Sequence, residues 1–232
     1  MITAHHLVFG RKAILKNEGL ILDLPFQNSF VDATGKNTMV AGGASNLPTF
    51  TLEGGEYAAT FNGSQSLKTN SNFVIGTDKV SISFWMKTSQ TAISVPMELS
   101  SNPNINNAFS INTNYPKLNE IYGCSITQSP QSLNSARTNS NNIIVNQWIH
   151  IVFVIDRNLP INDKVKIYVN GNLATMTKPE TANTVGSFGF YPLFIGQRGG
   201  SSYGFNGQMK FLKIFNYPLS PTEITNLYNK TM

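Results

Sequence analysis

"NQWIHIVFVID", residues 146–156, is an apolar run in a chain otherwise crowded with Asn, Ser, Thr and Gly. Side chains alternate between faces along an extended strand, so Trp148, His150, Val152 and Val154 share one side, and Ile149, Ile151, Phe153 and Ile155 the other. Both faces are apolar, which predicts a strand that is central in its sheet and covered on each side. His150 then lies in or near a core, as a buried imidazole satisfied by a neighbouring hydroxyl or carbonyl rather than as a catalytic base or metal ligand. Trp148 is assigned to the same core as an anchor.

The flanking sequence keeps a strand-and-turn rhythm. "KVSISFWMKT" (79–88), "FSINT" (109–113), "KVKIYVNGNLATM" (164–176) and "YPLFIG" (191–196) are separated by Gly, Pro, Asn and Ser clusters, as in an all-β sandwich. Asn170-Gly171 is the strongest two-residue hairpin signal in the chain, since both positions of that turn need positive φ. One helix is predicted at "SPTEITNLY" (220–228), with Ser220 as N-cap, Pro221 at the first position and Glu223 closing a capping box. Ile224, Leu227 and Tyr228 would dock it on the sandwich. Two stretches read as irregular: residues 1–18, and 100–147, where strands alternate with polar loops such as "SSNPNINN" and "NSARTNSNN".

Composition narrows the function classes. The 232 residues are 41% hydrophobic, enough for one full core. Net charge is +5, yet only 12% of residues are charged, and Arg11-Lys12 is the one adjacent basic pair, so nucleic acid is not an expected partner. The single cysteine, Cys124, makes no internal disulfide and reads as a small buried hydrophobe. The opening residues lack the pattern of a secretory signal, and no apolar run approaches the roughly 20 residues of a membrane helix. The expectation is a chain made in a cytoplasm, with no membrane span.

Seven segments in order resemble the concanavalin A-like lectin/glucanase superfamily, in its laminin-G-like or pentraxin-like branch. They are "LILDLPFQNSFVDATGK" (20–36), "YAATFNGSQSLKT" (57–69), "VSISFWMKT" (80–88), "NQWIHIVFVID", "VKIYVNGNLA" (165–174), "PLFIGQRGG" (192–200) and "FNGQMKFLKIFNYPLSPTEITNLY" (205–228). The resemblance implies a jelly-roll sandwich of two curved antiparallel sheets over residues 19–232, in which the W-x-H strand and the Asn170-Gly171 hairpin are structural hallmarks. Residues 1–18 would form an N-terminal arm.

Each chemistry known on this fold can be tested against the residues. The glucanase branch uses a Glu-x-Asp-x-x-Glu strand to pair carboxylates for acid/base cleavage. None of the seven glutamates, 18, 53, 56, 98, 120, 180 and 223, has an aspartate two positions on. The Gln-x-His spacing of the lyase branch is also missing, so no enzyme and no catalytic residue is expected. The acidic residues of the usual calcium-site segments are replaced by Asn62 and by Met209-Lys210, which leaves Asp32 with nearby loop oxygens as a weak calcium site at most. No cofactor or metal is assigned.

Binding remains. "GQRGGSSYGFNG" (196–207) offers Gln197, Arg198, Tyr203 and Phe205 around glycines, either as a glycan patch or as a connection whose aromatics pack. With no leader apparent, the expected function is a virion structural or adhesion protein, such as a phage head-decoration, fibre or tail component. It would be made in the host cytoplasm, assembled through the arm onto itself or other virion proteins, and able to meet a host-surface glycan. The alternative is a secreted or cell-surface carbohydrate-binding lectin module.

Overall fold

The computed structural model describes residues 18–43, 46–100, 107–127, 132–139 and 141–231. Sixteen strands follow in chain order among them. The first five are β1 (Leu20–Leu24), β2 (Met39–Ala41), β3 (Thr49–Glu53), β4 (Glu56–Asn62) and β5 (Leu67–Thr69). Next come β6 (Lys79–Lys87), β7 (Ser94–Leu99), β8 (Ala108–Thr113), β9 (Ile121–Thr127), β10 (Ser132–Thr138) and β11 (Ile149–Asp156). The last are β12 (Val165–Val169), β13 (Asn172–Leu173), β14 (Met176–Thr177), β15 (Leu193–Ile195) and β16 (Asn206–Phe215), before helix α1 (Pro221–Lys230). The arm expected over residues 1–18 lies, but for Glu18, outside the described residues.

Two antiparallel sheets face each other. The first runs β13-β12-β11-β6-β16-β4-β3, with β1 also on β16; the second runs β14-β10-β9-β8-β7-β15-β5-β2. Strand β16 serves two neighbours on one edge because its register breaks between Lys210 and Lys213, around Phe211 at φ 53°. Its first half pairs with β4 and its second with β1. Ile149, Ile151, Phe153 and Ile155 of β11 point between the sheets, where they pack with Ile82 and Phe84 of β6 and with Phe109, Ile111 and Met97 of the second sheet.

The opposite face of β11 is covered by α1. Val152 and Val154 pack with Ile224 and Leu227 of the helix, which explains why this strand is apolar on both sides. A capping box between Ser220 and Glu223, with Pro221 at the first turn, fixes where the helix begins. His150 lies in this outer layer, 1% exposed. Its Nε2 meets the Ser83 hydroxyl at 2.9 Å, while Nδ1 is buried with no partner among the described residues, and burial pushes the imidazole down to about 4. The Asn170 side chain accepts from the His150 amide at 2.9 Å, and Asn170-Gly171 forms the β12–β13 turn with φ of 48° and 79°.

Two sequence-based assignments need correction. Trp148 does not anchor the core: it precedes β11, is only partly buried, and lies beside Lys87 and Lys210, whose ammonium groups are 5.2 and 4.9 Å from its ring centre. The chain turns at Asn146, φ 58°, so Trp148 stands at the entrance to the strand, on the outer side it shares with His150 and with Trp85 and Lys87 of β6. "NSARTNSNN" is not a loop at its start, because Asn134–Thr138 belong to β10, paired with β9 as far as Arg137. Several of its polar groups are satisfied internally: the Asn134 amide nitrogen donates to the Ile161 and Ala182 carbonyls at 2.8 and 3.1 Å, and the Thr138 hydroxyl accepts from the Ile121 amide at 3.0 Å.

Candidate functional site

The second sheet carries a cleft of about 310 Å³ on the face turned away from the first sheet. Gly123 decides which residues reach it. A Cβ at Gly123 would stand 2.0 Å from the Phe153 ring, so this position faces inward and only glycine fits. Its neighbours on β9, Tyr122, Cys124 and Ile126, therefore face out and floor the cleft, beside Ser110 and Asn112 of β8 and Leu133 of β10. Ile93, Val95, Tyr115, Arg198 and Tyr203 complete the lining, with Val95 and Tyr203 adjacent through their backbones.

The polar groups are ordered. Ser110 donates to the Asn112 side-chain carbonyl at 2.8 Å, and the Asn112 amide nitrogen holds no hydrogen bond among the described residues. Tyr115 and Tyr122 meet edge to face at 5.2 Å. The Tyr122 hydroxyl donates to Glu180 at 3.2 Å, and Glu180 is held in turn by the Ser135 hydroxyl. Burial pushes the Cys124 thiol up to about 12, so it is protonated at neutral pH and forms an inert part of the floor.

The Arg198 Nε donates to Glu98 at 3.1 Å while its guanidinium lies 5.0 Å from the Tyr203 ring centre. The backbone of the 198–203 turn is fixed by Arg198 N to Ser202 O at 2.9 Å and by Val95 N to Tyr203 O at 2.8 Å.

Of the four residues that the sequence grouped as a patch, only Arg198 and Tyr203 reach the cleft. Gln197 is 6% exposed and donates to the Gly63 carbonyl at 3.3 Å, and Phe205 is fully buried against Phe61 in the inter-sheet core. The chain enters and leaves the turn as paired backbone, Phe205 N to Gly196 O at 2.8 Å, so the residues next to that pair fall inside. Tyr115, Tyr122, Ser110 and Asn112 were missed, although the alternation in "AFSINT" and "IYGCSIT" puts 110 with 112 and 122 with 124.

Asp32, the candidate calcium ligand, is committed elsewhere. Its Oδ1 accepts from the Asp23 and Thr34 amides at 2.9 and 3.0 Å. Its Oδ2 accepts from the Thr34 hydroxyl and from the Asn37 amide and side chain at 2.7, 3.0 and 2.8 Å. Five donors leave little lone-pair capacity for a cation. Among the described residues no cluster of three or more His, Cys, Asp or Glu is placed to hold a metal, and no helix is long and apolar enough to cross a membrane.

Glu98 yields a pH prediction. It is 1% exposed, and burial pushes its carboxyl up to about 7 against the pull of Arg198. A raised carboxyl binds its proton more tightly in the folded chain than in the unfolded one. The stability it contributes is therefore complete below pH 4.5 and is lost as pH rises through about 7. The loss is about 3 kcal/mol. Glu98→Gln is expected to flatten this fall in a series of melting temperatures against pH. His150, held down by burial, acts in the opposite sense below its ordinary value of 6.5, so variant and wild type are compared at each pH. Parallel profiles for the two would show that Glu98 is ionised throughout.

Comparison with known proteins places this geometry. A laminin-G family model, described as the concanavalin A-like lectin/glucanases superfamily, matches residues 61–225. No curated protein matches the sequence. Among solved structures, domain 4 of AbnA, a GH43 extracellular arabinanase from Geobacillus stearothermophilus in complex with arabinotriose, superposes with a TM-score of 0.62 at 19% identity. That match covers 90% of this chain and 98% of that one. The receptor-binding domain of the botulinum neurotoxin C/D mosaic serotype gives 0.67 at 16% identity, over 93% of this chain and 52% of that one. The binding domain of botulinum neurotoxin DC in complex with rat synaptotagmin II gives 0.66 at 17%, again over 93% and 52%. The chain thus spans about half of each toxin domain, and at these identities the likeness is one of fold. With two antiparallel sheets in jelly-roll arrangement and a family match across most of its length, the chain belongs to the concanavalin A-like lectin/glucanases superfamily.

Proposed function

We propose that the chain is a non-enzymatic carbohydrate-binding module and that the cleft on the outer face of the second sheet receives the glycan. The observation that carries this reading is the meeting of Tyr115, Tyr122 and Tyr203 with the Arg198 guanidinium and the Asn112 amide around one cleft. Aromatic rings stack on the C–H faces of sugars, while amides and guanidinium groups fork their hydroxyls. The volume lies at the lower end of small-molecule sites, about 300–1,000 Å³. Among the described residues no aspartate or glutamate lines the cleft, whereas the common route of glycoside hydrolysis needs two carboxyls across the scissile bond. The arabinanase domain that holds arabinotriose supports the same reading by likeness of fold.

Tyr203 and Tyr115 are 50% and 39% exposed, so truncating either removes a stacking wall without opening the core. Tyr203→Ala and Tyr115→Ala are each expected to weaken the best glycan on an array by about three- to tenfold, from the worth of one aromatic contact, with the melting temperature unchanged. Calorimetry on that glycan checks the affinity, and a reducing-end assay checks for turnover. Release of product that disappears on mutating one carboxylate would overturn the non-enzymatic reading.

The wider setting we propose is a virion, in which a phage head-decoration, fibre or tail component presents this lectin-like domain to a host-surface glycan. A composition with only 12% charged residues, rich in Asn and Ser, supports an exposed adhesive role. A secreted or cell-surface lectin is the competing setting. Mass spectrometry of purified particles tests the choice, and recovery of the chain from cell surfaces alone would decide against the virion.

A further inference from the structure

We propose that the glycan taken by this cleft carries a carboxylate, as uronates and sialates do, and that Arg198 is the residue that seats it. The inference rests on the reading of the cleft as a glycan site. Arg198 is the one charged side chain among the described residues that line it. The guanidinium is held from two directions before any ligand arrives, by Glu98 through Nε at 3.1 Å and by the Tyr203 ring at 5.0 Å. Its Nη1 and Nη2 hold no hydrogen bond among the described residues, and the side chain is 25% exposed. Two parallel N–H donors on a fixed plane match the two oxygens of a carboxylate, and little side-chain freedom remains to be lost on binding.

The charge balance favours an anion over a neutral diol. Glu98, the carboxylate that would neutralise Arg198, is buried behind it, with no hydrogen bond to Oε1 among the described residues, and is not one of the described residues that line the cleft. Among the described residues the charged and titratable groups around Glu98 are Arg198, the Cys124 thiol on β9 and, one strand beyond Phe194 in the same cross-strand row, Lys68 on β5; its register partners on β8 and β15 are Ser110 and Phe194. Because burial holds Glu98 near 7, the pair carries part of a positive charge at neutral pH and more of it below. A ligand carboxylate on Arg198 favours the protonated form of Glu98, so its binding takes up a proton and strengthens as pH falls. A neutral sugar gains nothing from either term.

The test uses the full chain on an array of sialylated, uronate-bearing and neutral glycans. Calorimetry follows at pH 6 and 8 with trigalacturonic acid, 3′-sialyllactose, lactose and arabinotriose. At least one acidic saccharide is expected to bind tenfold or more tightly than the neutral ones at pH 6 and to lose several-fold by pH 8; which one identifies the source of the carboxylate. Arg198→Lys, which keeps the charge but not the fork, should bring the acidic-to-neutral ratio toward one. Glu98→Gln should remove the pH dependence. Equal affinity for acidic and neutral saccharides, or an unchanged ratio in Arg198→Lys, would overturn the carboxylate inference and leave the glycan reading standing. An array with no bound glycan of any kind would overturn both.

Discussion

Arg157→Met is expected to lower the melting temperature by roughly 6–20 °C, the equivalent of about 3–5 kcal/mol in a chain of this length. Arg157 is 1% exposed, and all five of its N–H groups are used. Nε donates to the Ser125 hydroxyl at 3.0 Å, and Nη1 to the Gly186 and Ser187 carbonyls at 2.9 and 3.1 Å. Nη2 donates to the Ala108 and Ile126 carbonyls at 3.3 and 2.9 Å. The guanidinium also lies 3.9 Å from the Phe188 ring centre. Burial lowers its pKa to about 10, which still leaves it charged at neutral pH.

Methionine fills much of the volume but satisfies none of the acceptors, each of which is worth about 1 kcal/mol of net hydrogen bonding. The loss of the ring contact adds about 2 kcal/mol or less. Two of the acceptors are the backbone of β8 and β9, so the variant should also loosen the cleft floor and weaken glycan binding. Lys164, which donates to the Thr184 carbonyl at 2.8 Å and to the Arg157 carbonyl, ties down the same segment and should not compensate. Calorimetric unfolding measures the effect. A shift within about 2 °C would mean that water replaces the guanidinium, contrary to this account.

The inward face of β9 also shows why the fold was easier to read than the site. Hydrophobicity alone would turn Tyr122, Cys124 and Ile126 inward and leave Gly123, Ser125 and Thr127 outside. The reverse holds, because Phe153 and Arg157 of the facing strand and its exit fill the space above Gly123 and Ser125. No pattern within β9 reports that. By contrast, β11 was legible because each of its faces meets an apolar layer, the inter-sheet core on one side and α1 on the other. Alternation failed wherever the backbone left the strand region. At Gly199 and Gly200, φ is 54° and 72°, and the turn between them separates Arg198 and Tyr203 from their sequence neighbours Gln197 and Phe205. The Asn170-Gly171 turn and the α1 cap were legible for the opposite reason, that their chemistry is local.

Trp85→Ala is expected to cost about 3–5 kcal/mol, and Trp148→Ala about 1 kcal/mol or less. Trp85 is 5% exposed on the outer face of β6, opposite His150 across the β6–β11 pair. Its ring stacks on Tyr228 of α1 at 5.6 Å and 16°, and lies 5.3 Å from the His150 ring. Its Nε1 donates to the Thr231 hydroxyl at 2.6 Å. Removing this side chain empties the contact through which the helix end is held to the sheet, and leaves His150 exposed to a cavity.

Trp148 instead covers two lysines that keep their own carboxylates, Lys87 with Glu53 and Lys210 with Glu56, so its loss costs the ring contacts and an exposed hydrogen bond to Glu53. The chain has two tryptophans, and each variant therefore isolates the emission of the other. Trp148→Ala should retain the blue-shifted emission of buried Trp85, and Trp85→Ala should leave a more red-shifted spectrum from Trp148. Urea midpoints give the energies. Equal destabilisation by the two substitutions would return Trp148 to the core, and would mean that the docking of α1 does not depend on Trp85.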